Sequence, residues 1–219
     1  MSTTIRVWDL PTRIFHWALV VCVIGSVSTA QNGGDAMAWH FRFGYTILSL
    51  LLFRIFWGVM GGRWSRFSSF LYSPATVLRF IKGQGQPAHS IGHNPLGAGS
   101  VFALLGFLLL QVATGLVSDD EIASAGPLTQ FASNAMVRAA TYFHTNVGKL
   151  ILLALILLHI GAIAVHFFRK REDLVRPMFH GNKETAAQLQ GSRDDAGSRA
   201  RAAAIFVACG SFVYWLVNL

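Results

Sequence analysis

Apolar positions gather in five long blocks, 14–30, 39–61, 97–118, 145–168 and 202–218, with polar residues between them. Each block approaches or reaches the ~20 residues a helix needs to cross ~30 Å of hydrocarbon, so the pattern predicts five transmembrane helices, the first and last being the shortest. Asn94 ahead of Pro95 supplies a cap and a first-turn proline for the third. Asp119, Asp120 and Glu121 close that helix, and a polar loop containing Gly126 and Pro127 leads to the fourth. The connection 62–96 mixes Arg, Ser, Gly and Pro around a short apolar piece near 75–81, which suits a helix lying in the membrane interface. After Phe168 the chain becomes polar, and the last block follows as an appendage. The expected fold is an all-α integral membrane protein: a four-helix transmembrane bundle over 1–180, a polar cytoplasmic linker over 181–200, and a fifth C-terminal transmembrane helix over 201–219.

Composition supports this picture. Hydrophobic residues make up 53% of the 219, charged ones only 13%, and mean hydropathy is +0.47, too apolar for an ordinary soluble domain. The net charge of +8 would suit nucleic acid, but its distribution excludes that partner. Fourteen of the eighteen Lys and Arg residues lie in 1–13, 63–96 and 169–201, whereas 31–38 and 119–143 hold only Arg138. By the positive-inside rule the N-terminus is cytoplasmic and the fifth helix ends outside. The first block is expected to stay in the protein rather than serve as a cleaved signal, because it is long for one and carries His16 and Trp17. Cys22 and Cys209 sit in separate apolar blocks without CxxC or CxxCH spacing, so neither a disulfide framework nor covalent haem attachment is indicated, and both read as buried small apolar residues.

Eight histidines are many for such a chain, and a buried polar ring in hydrocarbon needs a partner. His144, Gly148, Ile151, Leu155, His159 and His166 keep to one face of the fourth block. His144 and His159 are ~22 Å apart along a helix axis, which suits two layers of cofactor better than one compact metal site. His40, Gly44, Ile47, Leu51 and Arg54 form a matching face on the second block. Gly44 and Gly148, one turn from their rings, leave room for a flat macrocycle. Arg54, at the cytoplasmic end of its face, is placed to bind a propionate. Arg13 is a further cofactor-binding candidate, and Arg42 is a candidate to hold a propionate or to snorkel. Depth pairs His40 with His144 on the outer side and His16 with a fourth-helix histidine on the inner side, where His166 matches His16 in depth better than His159. Iron held between two imidazoles has no open position, which favours electron transfer over oxygen chemistry. His89, His93 and His180 lie in cytoplasmic segments and read as solvated. Lys149 reads as snorkelling or ion-paired.

The order of several motifs is itself informative: VWDLPTRIFHW at 7–17, His40 with FRFGY and then LFRIFWG at 52–58, GHNPLG at 92–97, TGLVSDDE with GPL in 114–128, and LHIGAIAVHFFRKREDLVRPM at 158–178. Together they resemble the bacterial cytochrome b561 family, the group that includes hydrogenase-type cytochrome b subunits. The resemblance runs to about Lys183. It implies a four-helix core with two b haems whose iron ligands are His16, His40, His144 and His159, paired His16 with His159 and His40 with His144.

The expected function is transmembrane electron transfer in the bacterial cytoplasmic (inner) membrane. It would link the quinone/quinol pool, with ubiquinone as candidate substrate, to a periplasmic c-type cytochrome or dehydrogenase subunit. The cytoplasmic end of the third helix, with His93 and Asn94, is the first place to look for quinone. A second reading is a stand-alone quinone-coupled superoxide oxidase, with Arg42, Arg138 and Lys149 attracting the anion, and a third is a haem-free permease or scaffold. Membrane lipid and a homo-dimer complete the expected partners.

Overall fold

The computed structural model describes residues 3–86, 91–122, 124–185 and 189–219. The helices are α1 (Leu10–Asn32), α2 (Met37–Met60), α3 (Pro74–Ile81), α4 (Pro95–Leu116), α5 (Asn134–Tyr142), α6 (Lys149–Phe168), α7 (Val175–His180) and α8 (Ala196–Leu216). A π-helical turn, Phe143–Gly148, joins α5 to α6. Two short strands, β1 (Thr3–Arg6) and β2 (Asn182–Thr185), pair antiparallel with Arg6 opposite Asn182. Among the described residues four helical stretches are long and apolar enough to cross a membrane: Leu10–Asn32, Gly34–Met60, Pro95–Leu116 and Asn134–Phe168. The fold is that of an all-α membrane protein, as the hydropathy pattern predicts. α8 forms over the fifth block, but Arg199 and Arg201 open it, and it is not among the four.

Local chemistry sets the helix ends. Asn94 Oδ1 accepts from Gly97 N at 2.8 Å with Pro95 in the first turn of α4, as the sequence predicts. Ser73 and Ser133 cap α3 and α5 in the same manner. Asp9 caps α1 by accepting from Thr12 N at 2.8 Å. α7 ends at Gly181, whose φ of 87° suits glycine. A Cβ there would stand 2.4 Å from the Trp8 carbonyl. That space lets Val7 N and Trp8 N both donate to the Gly181 carbonyl, at 2.8 and 3.0 Å.

The chain falls into two compact units. The first comprises the chain up to Phe15, Arg54–Ala103 and Leu158–Ala204. Its apolar centre is Ile5, Val7, Trp8 and Ile91, with Trp64, Met178 and Leu189 packed on it. The segment that reads as a polar linker is anchored in this unit through β2 and through Ser192, whose N donates to Arg6 O at 2.6 Å and whose hydroxyl donates to Val7 O at 2.8 Å. β2 was not foreseen, because NKET carries no strand-like alternation.

The second unit comprises His16–Phe53, Leu104–Leu157 and Ile205–Leu219. Ile47, Leu51, Leu108, Val112 and Leu152 are buried within it, while Val21, Ile24, Leu150 and Leu157 are exposed. Apolar side chains pointing outward on long apolar helices fit a lipid surround.

Candidate functional site

In the second unit, α2 and the π-helical turn bring His40 and His144 together. Their ring centres are 6.0 Å apart and their planes 84° apart. Each ring is held by a backbone carbonyl of another helix. His40 Nδ1 donates to Ser26 O of α1 at 2.9 Å, with the Ser26 hydroxyl at 3.2 Å. His144 Nδ1 donates to Gln111 O of α4 at 2.8 Å. A proton on Nδ1 leaves Nε2 as the lone-pair nitrogen, the usual arrangement of a metal-binding imidazole fixed by its neighbour.

Both histidines line a cavity of about 500 Å³, within the ~300–1,000 Å³ range of cofactor sites. Val23, Gly44, Leu108, Gly115, Leu152 and Ile156 give it apolar walls, and Ser118, Asp120, Thr141 and Lys149 add polar groups. A Cβ on Gly44 would meet no atom within 4 Å, whereas one on Gly115 would stand 2.7 Å from His144 Cε1. Gly44 therefore opens space and Gly115 admits the ring. Gly148 has a different surrounding: a Cβ there would stand 2.1 Å from Gln111 Oε1. Arg42 lies over the Trp39 ring at 4.7 Å.

The other candidates are distributed between the units. His16, in the second, lies edge-on to Trp17 with ring centres 5.1 Å apart. His159 lies in the first, on α6. His166 Nδ1 bonds Glu172 at 2.9 Å, and its Nε2 is 3.4 Å from Lys170 Nζ. Glu172 also accepts from Lys183 at 2.6 Å. Burial works to raise the Glu172 carboxyl, but the hydrogen bonds from Lys183 and His166 prevail and hold it below its usual value. Arg54 is 3% exposed, with its guanidinium 4.6 Å from the Phe67 ring centre. Its Nη1 has no hydrogen-bond partner among the described residues. Arg13 donates to the Phe179 carbonyl. His93 packs between Trp8 and Phe70, at 4.7 and 4.4 Å between ring centres. His89 lies outside the described residues.

Three participants were missed at the level of sequence. Ser26 and Gln111 orient the paired rings; a lone Gln in the apolar run 97–118 was the available signal for the second. Asp9 is fully buried in the first unit. It accepts from Thr12 N at 2.8 Å, Trp57 Nε1 at 3.2 Å, Gly62 N at 3.0 Å and the Ser65 hydroxyl at 2.8 Å, and it acts electrostatically on Arg54. An acid three residues before Thr12 at a helix start was its signal.

The sequence model of prokaryotic cytochrome b561 matches residues 7–181. The chain belongs to the prokaryotic cytochrome b561 family. Similar proteins are probable Ni/Fe-hydrogenase B-type cytochrome subunits. That of Rhodobacter capsulatus is 25% identical over 222 residues, covering 83% of this chain and 82% of that one. That of Rhizobium leguminosarum bv. viciae is 23% identical over 218 residues, covering 82% and 89%. The probable Ni/Fe-hydrogenase 1 B-type cytochrome subunit of Escherichia coli (strain K12) is 26% identical over 138 residues, covering 50% of this chain and 57% of its own length. The chain thus spans little more than half of the Escherichia coli subunit. No solved structure matches the chain.

Haem b is the cofactor a cytochrome b561 carries, and the His40–His144 site fits it. An imidazole nitrogen binds a metal at about 2.0–2.1 Å and lies about 1.2 Å from its own ring centre, so two rings sharing one metal would have centres about 6.4–6.6 Å apart. The observed 6.0 Å is about half an ångström shorter than that span, and the two engaged Nδ1 atoms and the adjoining apolar cavity are the features that suit the group.

Proposed function

We propose that this cytochrome b561 carries electrons across the cytoplasmic membrane on two haems, one held by His40 and His144 and the other by His16 and His159. The observation that carries the proposal is the His40–His144 pair, 6.0 Å between ring centres, with both Nδ1 atoms bonded to backbone carbonyls. When bound, haem b supplies a reversible one-electron iron couple without an open coordination position. The chain's part is to fix both rings, to line the cavity with apolar side chains that exclude water, and to supply cations for acidic groups at its edge. Lys149 is the cation lining the His40–His144 cavity, and Arg54 is the buried cation of the first unit. His166, engaged by Glu172 and Lys170, is less suited than His159 to a ligand role.

By the positive-inside reading, the N-terminus is cytoplasmic, the His40–His144 layer lies on the outer side, and α8 forms a fifth span ending outside. The similarity to hydrogenase cytochrome subunits supports a partner enzyme, and the proposal takes a periplasmic dehydrogenase subunit or c-type cytochrome as one redox partner and the quinone pool as the other. Superoxide oxidation is the weaker reading. Arg42, one of the cations that reading invokes, is stacked on Trp39. Haem content of detergent-purified His40→Ala and His144→Ala chains tests the ligand scheme. Each is expected to lose one haem of two; unchanged haem content in both would defeat it.

A further inference from the structure

The turn that carries His144 is not an ordinary α-helical one. Phe143–Gly148 is π-helical within an otherwise continuous helical run from Asn134 to Phe168, a widened geometry that is rare and occurs mostly as isolated turns, often at functional sites. Gln111 of α4 reaches this turn twice. Its backbone carbonyl accepts from His144 Nδ1 at 2.8 Å, and its side-chain Nε2 donates to the His144 carbonyl at 2.8 Å. The side chain fits because Gly148 has no Cβ: one would stand 2.1 Å from Gln111 Oε1. That oxygen is itself buried, with no hydrogen-bond partner among the described residues. A buried amide that leaves its acceptor unsatisfied while both its nitrogen and its backbone grip one residue is placed for that residue.

We infer that Gln111 and Gly148 act together as the positioning device for His144: the amide holds the π-helical turn open, and the open turn sets the direction in which the imidazole meets its haem. Return of the turn to α-helical geometry would change the register by one residue and rotate His144 about the helix axis by roughly 100° relative to α6, at 3.6 residues per turn. The ring would then leave His40. Gln111 lines the same cavity, and in this inference it acts through His144, the residue it holds by two hydrogen bonds. The inference rests on the proposed His40–His144 haem.

The test uses the full chain purified in detergent, with Gln111→Ala, Gly148→Ala, the double variant and His144→Ala. The readouts are haem-to-protein ratio, the low-spin EPR signals and the midpoint potential of each haem. Gln111→Ala and Gly148→Ala are each expected to move the EPR signal and potential of one haem, or convert it to high spin, with the other haem unmoved. If Gly148→Ala acts by displacing the amide, adding it to Gln111→Ala changes nothing further. His144→Ala separates the two levels of the reading: if it leaves both haems in place, the ligand scheme itself is wrong. If it removes one haem while Gln111→Ala and Gly148→Ala leave that haem's EPR signal and potential at wild-type values, the positioning role is overturned. Loss of both haems together in both single variants would also overturn it, because it would show a general structural role.

Discussion

Asp9 offers the sharpest test of what holds the first unit together. Its carboxylate is 0% exposed and accepts from four donors: Thr12 N, Trp57 Nε1, Gly62 N and the Ser65 hydroxyl. It thereby ties the start of α1 to the end of α2 and the segment after it. Asp9→Ala strands these donors, and each buried donor left unpaired costs about 1–3 kcal/mol. The Ser65 hydroxyl, which accepts from Thr12 Oγ1 at 2.7 Å, can turn elsewhere, and water can enter the vacated space. The total is therefore less than additive, and about 4–6 kcal/mol is expected. Breaking a buried ionic network by removing one partner costs about 3–5 kcal/mol elsewhere, in agreement. Asp9→Asn keeps the shape and one acceptor oxygen but turns an NH2 towards one pair of donors, so about half that loss is expected. Unfolding of the purified chain by SDS titration in mixed micelles, followed by tryptophan fluorescence, measures both. A loss below about 1 kcal/mol for Asp9→Ala would refute the reasoning.

Three further outcomes follow. Gly115→Ala puts a Cβ 2.7 Å from His144 Cε1; it is expected to shift the optical and EPR signature of one haem without lowering the yield of folded protein, and a wild-type spectrum would count against that contact. Gly44→Ala adds one methyl to open cavity space, so haem content should be retained, whereas Gly44→Trp should lower it by one haem, as read by the pyridine haemochrome assay. Glu172 has its carboxyl held below the usual value of 4.5, so its charged form stabilises the fold above that pH and the contribution is lost as pH falls through the folded-state value. Glu172→Gln should therefore be less stable than wild type at pH 7 in thermal melts, with the gap closing below about pH 4.5; a gap that does not narrow would argue against the His166–Glu172–Lys183 cluster.

Much of the architecture was legible because a bilayer imposes a simple rule. Blocks of apolar residues near the required length became helices in Leu10–Asn32, Gly34–Met60, Pro95–Leu116 and Asn134–Phe168, and Asn94–Pro95 marked the start of α4. The pairing of β1 with β2 was hidden, since a strand of Thr, Thr, Ile and Arg facing Asn, Lys, Glu and Thr is specified by Gly181 and Ser192 rather than by its own periodicity. Helical offsets assume 3.6 residues per turn, and the π-helical turn breaks that assumption at His144. Its cause lies on another helix, in Gln111, which no local pattern reveals. Asp9 was obscure for a similar reason: its partners Trp57, Gly62 and Ser65 come together only in the folded chain.

The central claim is a two-haem carrier, and the most direct measurement is the haem-to-protein ratio and optical spectrum of the detergent-purified chain, oxidised and then reduced with dithionite. Two low-spin b haems per chain, falling to one in His144→Ala, is the result expected from the His40–His144 geometry and the proposed second pair. A folded chain without haem, or one whose haem content is indifferent to His144→Ala, would contradict it.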